Sequence, residues 1–230
     1  MPGIEEHIRD CYIEFMIIRG HGIIVYLIWA SLVAAALEAV FLGRWSMVFV
    51  ATFTLLVSLT PAILTNRYHV NLPWPFFTGM VLFIFATLFL GEAFDFYDRY
   101  WWWDILLHGL SAVGFGLAGF IFVFSLFEGD RYAAPAWAIT FISLSFAISI
   151  GAVWEIFEFL MDVSFGLNMQ KTGLNDTMLD LIVNIIGASV GALAGLGFLK
   201  GRSKSGLPAL IAEFVRLNRH FFKNFDKRNK

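Results

Sequence analysis

The chain has 230 residues, of which 59% are hydrophobic and only 15% charged, and its mean hydropathy is +0.73. A soluble domain carries roughly 25% charged residues, so these values exclude an ordinary water-soluble enzyme and place the chain among integral membrane proteins. The formal net charge of −2 says little by itself, and no nucleic-acid partner is expected.

The amino-terminal MPGIEEHIRD is acidic where a signal peptide would be basic, and it has no evident small-residue cleavage site. The first apolar run is therefore expected to be a retained span. Within residues 1–20, Ile4, Ile8, Cys11, Tyr12 and Phe15 recur at helical spacing, the pattern of a helix lying in the membrane interface. Cys11 is the single cysteine, so it forms no intrachain disulfide.

Six stretches then reach the about 20 apolar residues that a crossing helix needs: 21–42, 46–64, 75–94, 104–127, 134–161 and 177–199. Their continuity, without strand-like alternation, predicts helices. The expected fold is all-α, a six-helix membrane bundle over residues 21–199 in contact with membrane lipids. Residues 200–230 form a basic amphipathic tail. There Leu207, Leu210, Ile211, Phe214, Leu217 and Phe221 share a periodicity with Arg216, Arg219 and Lys223 interleaved, a helix suited to an anionic cytoplasmic leaflet.

Lysine and arginine set the expected orientation. With six spans, Arg9, Arg19, Arg67, Arg131 and nine residues from Lys200 to Lys230 share one side, against Arg44, Arg99 and Lys171 on the other. This distribution predicts both termini in the cytoplasm. On that topology, the outer face holds Glu38, Glu92, Asp95, Asp98, Asp104, Glu155, Glu158, Asp162, Asp176 and Asp180.

Three of the six spans place polar residues in stripes. In DILLHGLS of span four, Asp104, His108 and Ser111 share a helix face. In VWEIFEFLMD of span five, Glu155, Glu158 and Asp162 do the same. In NDTMLDLIVNIIGASVG of span six, Asp176, Asp180 and Asn184 continue through Gly187 and Gly191, small residues that let a neighbouring helix approach closely. All three stripes fall at similar depth in the outer leaflet, so spans that face one another there make one polar pocket, with Glu92 and Glu38 nearby. Trp101, Trp102 and Trp103 read as interfacial anchors.

A simpler reading applies to several of these residues. Asp104 and Asp176 suit a helix start, Asn184 suits an interhelical hydrogen bond, and the whole set would serve as an adhesive between helices. Glu155 and Asp180 lie too deep for capping, and intramembrane ionisable groups are costly enough to mark function. Carboxylates this close either hold protons in common or bind a cation. With one imidazole among them they suit a divalent metal: Zn, Mn or Fe through mixed ligands, Mg or Ca through the oxygens with waters.

The segments WWWDILLHGLSAVGFGL, GAVWEIFEFLMD and NDTMLDLIVNIIGASVGALAG resemble the YjdF-type family of bacterial and archaeal inner-membrane proteins. The order of Asp104 and His108, then Glu155 and Glu158, then Asp180, Asn184 and Gly187 is similar to VanZ-like membrane proteins, some linked to glycopeptide resistance. Glu158 stands where that pattern has Gln, and the basic residue before its third block is missing. The resemblance implies a multi-pass protein of the inner membrane.

The leading expectation is a metal-dependent hydrolase or transferase acting on a lipid headgroup or lipid-linked precursor. Asp104, His108, Glu155 and Asp180 are the expected metal ligands, with Glu158 and His108 as acid–base groups. Asp162, Asp176, Asn184 and Glu92 surround them. The alternatives are a cation or proton-coupled transporter using the same carboxylates, and a structural or accessory subunit.

Overall fold

Six helices have the length and apolarity to cross a bilayer: Ile23–Phe41, Trp45–Tyr68, Trp74–Ala93, Trp103–Leu126, Ala136–Phe165 and Leu174–Leu199, here spans one to six. They belong to a computed structural model that describes residues 22–128, 130 and 134–225. Among these residues there is no strand, so the all-α expectation holds. The amphipathic segment expected over residues 1–20 lies outside the described residues.

The span boundaries follow from backbone chemistry. Pro73 and Pro135 stand directly before spans three and five with φ of −54° and −58°, a value proline locks and a helix start accepts. Span five runs to Phe165 and closes on Gly166 at φ 67°, a left-handed cap that glycine adopts without steric cost. Span two is two helices, Trp45–Ser58 and Thr60–Tyr68, meeting at Leu59. Pro61 lies in the first turn of the second, where its missing N–H interrupts the hydrogen-bond ladder. Span three widens into a π-helix over Phe85–Ala93.

The chain divides into two compact units with a boundary between Phe96 and Tyr97. The first contains spans one to three. Its core is Val25, Ile28 and Leu32 of span one, Ala51 of span two, and Phe77, Val81 and Phe89 of span three. Trp29 Nε1 donates to the buried Ser58 Oγ at 3.0 Å, which satisfies a polar pair where lipid offers no alternative partner.

The second unit holds spans four to six and the C-terminal helix Gly206–Leu217. Between membrane helices the apolar effect is nearly absent, so close packing of small residues carries association. Spans four and six meet through such residues. A Cβ added to Gly191 would lie 2.5 Å from the Val113 carbonyl oxygen and 2.9 Å from Gly116 Cα. A Cβ on Gly187 would run into the Gly109 carbonyl oxygen. Span five joins them through Ala147, which clusters with Ala112 and Ala188.

The C-terminal helix turns part of its apolar stripe toward the protein. Ile211, Phe214 and Val215 are buried, whereas Leu217 and Phe221 stay exposed. An aromatic group of Phe124, Phe198, Phe222 and Phe225 ties the tail to the ends of spans four and six, with Phe198 and Phe225 stacked at 5.7 Å. Large apolar side chains elsewhere are exposed, Trp101, Phe41 and Phe165 among them, which is the surface a lipid-embedded helix presents.

Candidate functional site

Span four begins at Trp103, so Asp104 falls in its first turn and His108 one turn deeper on the same side. Ser111 does not face the cluster as a free donor; its Oγ donates to the His108 carbonyl oxygen at 2.9 Å. In span five Glu155 and Glu158, three residues apart, point together into the unit, and both are buried. In span six Asp180 and Asn184 occupy the facing stripe and are 1% and 2% exposed. The close approach of spans four and six through their glycines therefore delivers Asp180 to Asp104 and His108.

The imidazole of His108 is the centre of the arrangement. Its Nε2 lies 3.6 Å from Asp104 Oδ1 and its Nδ1 lies 3.6 Å from Glu155 Oε1. Two groups with metal-ligating atoms within 4.8 Å of one another share it: Asp104, His108 and Asp180, and His108, Glu155 and Glu158. Of the residues expected from sequence as ligands, all four are thus brought together in the second unit. The four are not one shell, because Glu155 groups with Glu158 and not with Asp104 and Asp180.

The donor set fits a divalent cation. Both oxygens of Glu155, Oδ2 of Asp180 and Nδ2 of Asn184 are buried with no hydrogen-bond partner among the described residues. Unpaired carboxylate oxygens in a low-dielectric interior are costly, and a cation or a proton is what relieves them. Hard oxygen donors with one imidazole are the chemistry of Mn, Zn or Mg sites.

The surrounding residues separate by role. Glu158 Oε1 accepts from the Trp154 indole N–H at 2.8 Å, which fixes its orientation. Asp162 instead turns to the loop: its two oxygens accept from the Met169 and Gln170 amides at 2.7 Å and 2.9 Å. Gln170 Nε2 in turn donates to Thr177 Oγ1 at 2.7 Å, so the loop between spans five and six is stapled to both. Asp176 is half-buried in the first turn of span six, where its carboxylate meets the Lys171 backbone and lies within electrostatic reach of Asp104 and His108. Lys171 pairs with Asp98 and sits over the Tyr97 ring at 5.3 Å. Glu92 lies in the π-helical turn of span three, in the first unit.

Two contributors carry weak sequence signals. A Cβ on Gly151 would lie 2.5 Å from Asn184 Nδ2, so this glycine makes the room that Asn184 occupies. Its place one turn before Glu155 was the available sign. Trp154 precedes Glu158 by four residues, a spacing that permits its hydrogen bond, but tryptophan at such depth reads first as a lipid anchor.

The chain belongs to the DUF2238 family of predicted membrane proteins, whose pattern matches residues 21–201. It is 30% identical over 105 residues to an uncharacterized protein of Thermotoga maritima, an alignment covering 45% of this chain and 53% of that protein. The chain thus spans about half the length of the curated relative it matches. No solved structure matches.

Proposed function

We propose that the protein is a metal-dependent hydrolase or transferase acting on a lipid headgroup or lipid-linked precursor. The observation that carries this reading is Glu155, 4% exposed, with neither carboxylate oxygen in a hydrogen bond of ordinary length and one of them 3.6 Å from the His108 ring. A carboxylate kept ionised there needs a cation, which helix adhesion alone does not supply. The YjdF-type and VanZ-like resemblances of the same residues support a shared membrane-embedded site.

In this reading a divalent cation (Zn, Mn, Mg or Ca) would be held by His108 with Asp104 and Asp180, while Glu155, at the other ring nitrogen and beside Glu158, would balance its charge. When bound, the cation supplies Lewis-acid polarisation of a phosphoryl or acyl oxygen. Glu158, steadied by Trp154, accepts the proton of the attacking water or alcohol as that oxygen bonds to the substrate, then returns it to the departing oxygen. His108 assists in the proton transfer. Asn184 and Asp176 keep the ring and carboxylates in place, and Asp162 holds the loop at the entrance. The lysine and arginine asymmetry favours cytoplasmic termini in the inner membrane, with the site in the outer leaflet. Impermeant amine labelling that reaches Lys204 but not Lys171 from outside the cell reverses that orientation.

The test is elemental analysis of the purified protein beside a Glu155→Gln, Asp180→Asn double variant. The reading expects about one divalent cation per chain in the parent and none in a still-folded variant. No metal in the parent after supplementation with Zn, Mn, Mg and Ca refutes it. Metal-free protein that conducts protons or cations in liposomes points to transport through the same carboxylates.

A further inference from the structure

A cavity of about 290 Å³ lies at the opposite end of span six from the acidic cluster, between that span and the C-terminal helix. Its walls include the rings of Phe198, Phe222 and Phe225, and its polar lining is Ser203, Arg216 and Arg219. Phe198 is eighteen residues beyond Asp180 in the same helix, about 27 Å along its axis, so this is a separate site.

Its depth follows from length. Span six has 26 residues, about 39 Å at the helical rise, whereas the hydrocarbon core is about 30 Å thick. The last turn of the span therefore stands at headgroup level. The charge around it is basic: Lys200, Arg202, Lys204, Arg216, Arg219 and Lys223 against Glu213 and against Glu128, whose carboxylate accepts from Asn224 Nδ2 at 3.2 Å, six less two, or +4. Arg216 is largely exposed and only 4.0 Å from Glu213, a loose pair that leaves its guanidinium available. Aromatic rings, two arginines and a serine in one lining match an anion attached to an apolar body.

We propose that this cavity binds the phosphate headgroup of an anionic phospholipid. Arg216 and Arg219 contact the phosphate oxygens, a geometry that the guanidinium fork favours, and Ser203 donates its hydroxyl hydrogen. The glycerol lies against the phenylalanine rings, and the acyl chains leave along span six into the bilayer. The lipid then stitches the C-terminal helix to the membrane domain at a point where part of that helix's apolar face is already spent on protein contacts.

The experiment counts lipid retained by the full-length, detergent-purified protein in native mass spectrometry, titrated with dioleoyl phosphatidylglycerol or phosphatidylcholine. The expected result is at least tenfold preference for phosphatidylglycerol. A charge-assisted hydrogen bond to phosphate contributes about tenfold, so Arg216→Gln with Arg219→Gln together lowers affinity about a hundredfold. Lys200→Gln with Arg202→Gln and Lys204→Gln removes more charge, none of it lining the cavity, and is expected to change affinity less than threefold. An equal or larger loss in that triple variant shows diffuse surface attraction and overturns the site. So does the absence of any headgroup preference, or displacement of the lipid by millimolar inorganic phosphate, which identifies a free-anion site. If the double variant does not fold, Arg216→Gln alone decides, with about a tenfold loss expected.

Discussion

The contact between spans four and six predicts an unusual intolerance to one added methyl group. A Cβ on Gly191 would sit 2.5 Å from the Val113 carbonyl oxygen, 2.9 Å from Gly116 Cα and 3.0 Å from the Leu117 nitrogen. Every one of these atoms is backbone, so no rotamer change relieves the overlap. Ordinary contact begins at about 3.5 Å, so Gly191→Ala must part the helices by about 1 Å. A gap of that size forfeits a quarter to a half of each dispersion contact along the seam, and overpacking of this kind costs about 1–3 kcal/mol. With unyielding backbone neighbours the upper end applies, about 3 kcal/mol, offset by about 1 kcal/mol of improved helix propensity. Gly114→Ala is the control, because a Cβ there meets nothing within 4 Å, and it is expected to be neutral or up to about 1 kcal/mol stabilising. The two variants should therefore differ by about 3 kcal/mol in reversible unfolding in mixed micelles. Equal stability of Gly191→Ala and Gly114→Ala would refute the argument that the glycine seam sets this helix spacing.

Two further predictions concern the site. Trp154→Phe removes the indole N–H that Glu158 Oε1 accepts; it is expected to cost about 1 kcal/mol of stability and to reduce turnover about tenfold with metal content unchanged, measured by steady-state rates and elemental analysis once a substrate is identified. Loss of the metal in Trp154→Phe would move Glu158 from acid–base work to ligation. Asp162→Ala abolishes two hydrogen bonds to loop amides and should destabilise by about 2–3 kcal/mol while leaving metal stoichiometry intact; chemical denaturation and metal analysis of the same preparation check both halves.

The architecture was written in long apolar runs, and six of them fold into the six helices. Lipid leaves a backbone no partner but itself, so length and apolarity suffice to specify a crossing helix. Ends were less legible. Span five outlasts the apolar run because its limit is the left-handed Gly166, and span two breaks where Pro61 withholds a donor. The widened turn at Phe85–Ala93 has no counterpart in hydropathy at all.

The polar stripes carried the site in outline. Asp104 and His108, Glu155 and Glu158, and Asp176, Asp180 and Asn184 are each spaced at one turn within their own span, and spacing on a helix is a property of the local backbone. What the sequence left open was the rotation of each helix about its own axis. That is decided by which small residues meet, Gly187 and Gly191 against Gly109 and Gly116, and by Gly151 yielding space to Asn184. The same docking separates Asp162, turned to the loop amides, from Glu155 and Glu158, although all three share a stripe. Periodicity determined which side chains lie on one face. Only the packing of backbone against backbone across three helices decided which faces turn inward, because association in lipid rests on shape at contact distance, which no single helix encodes.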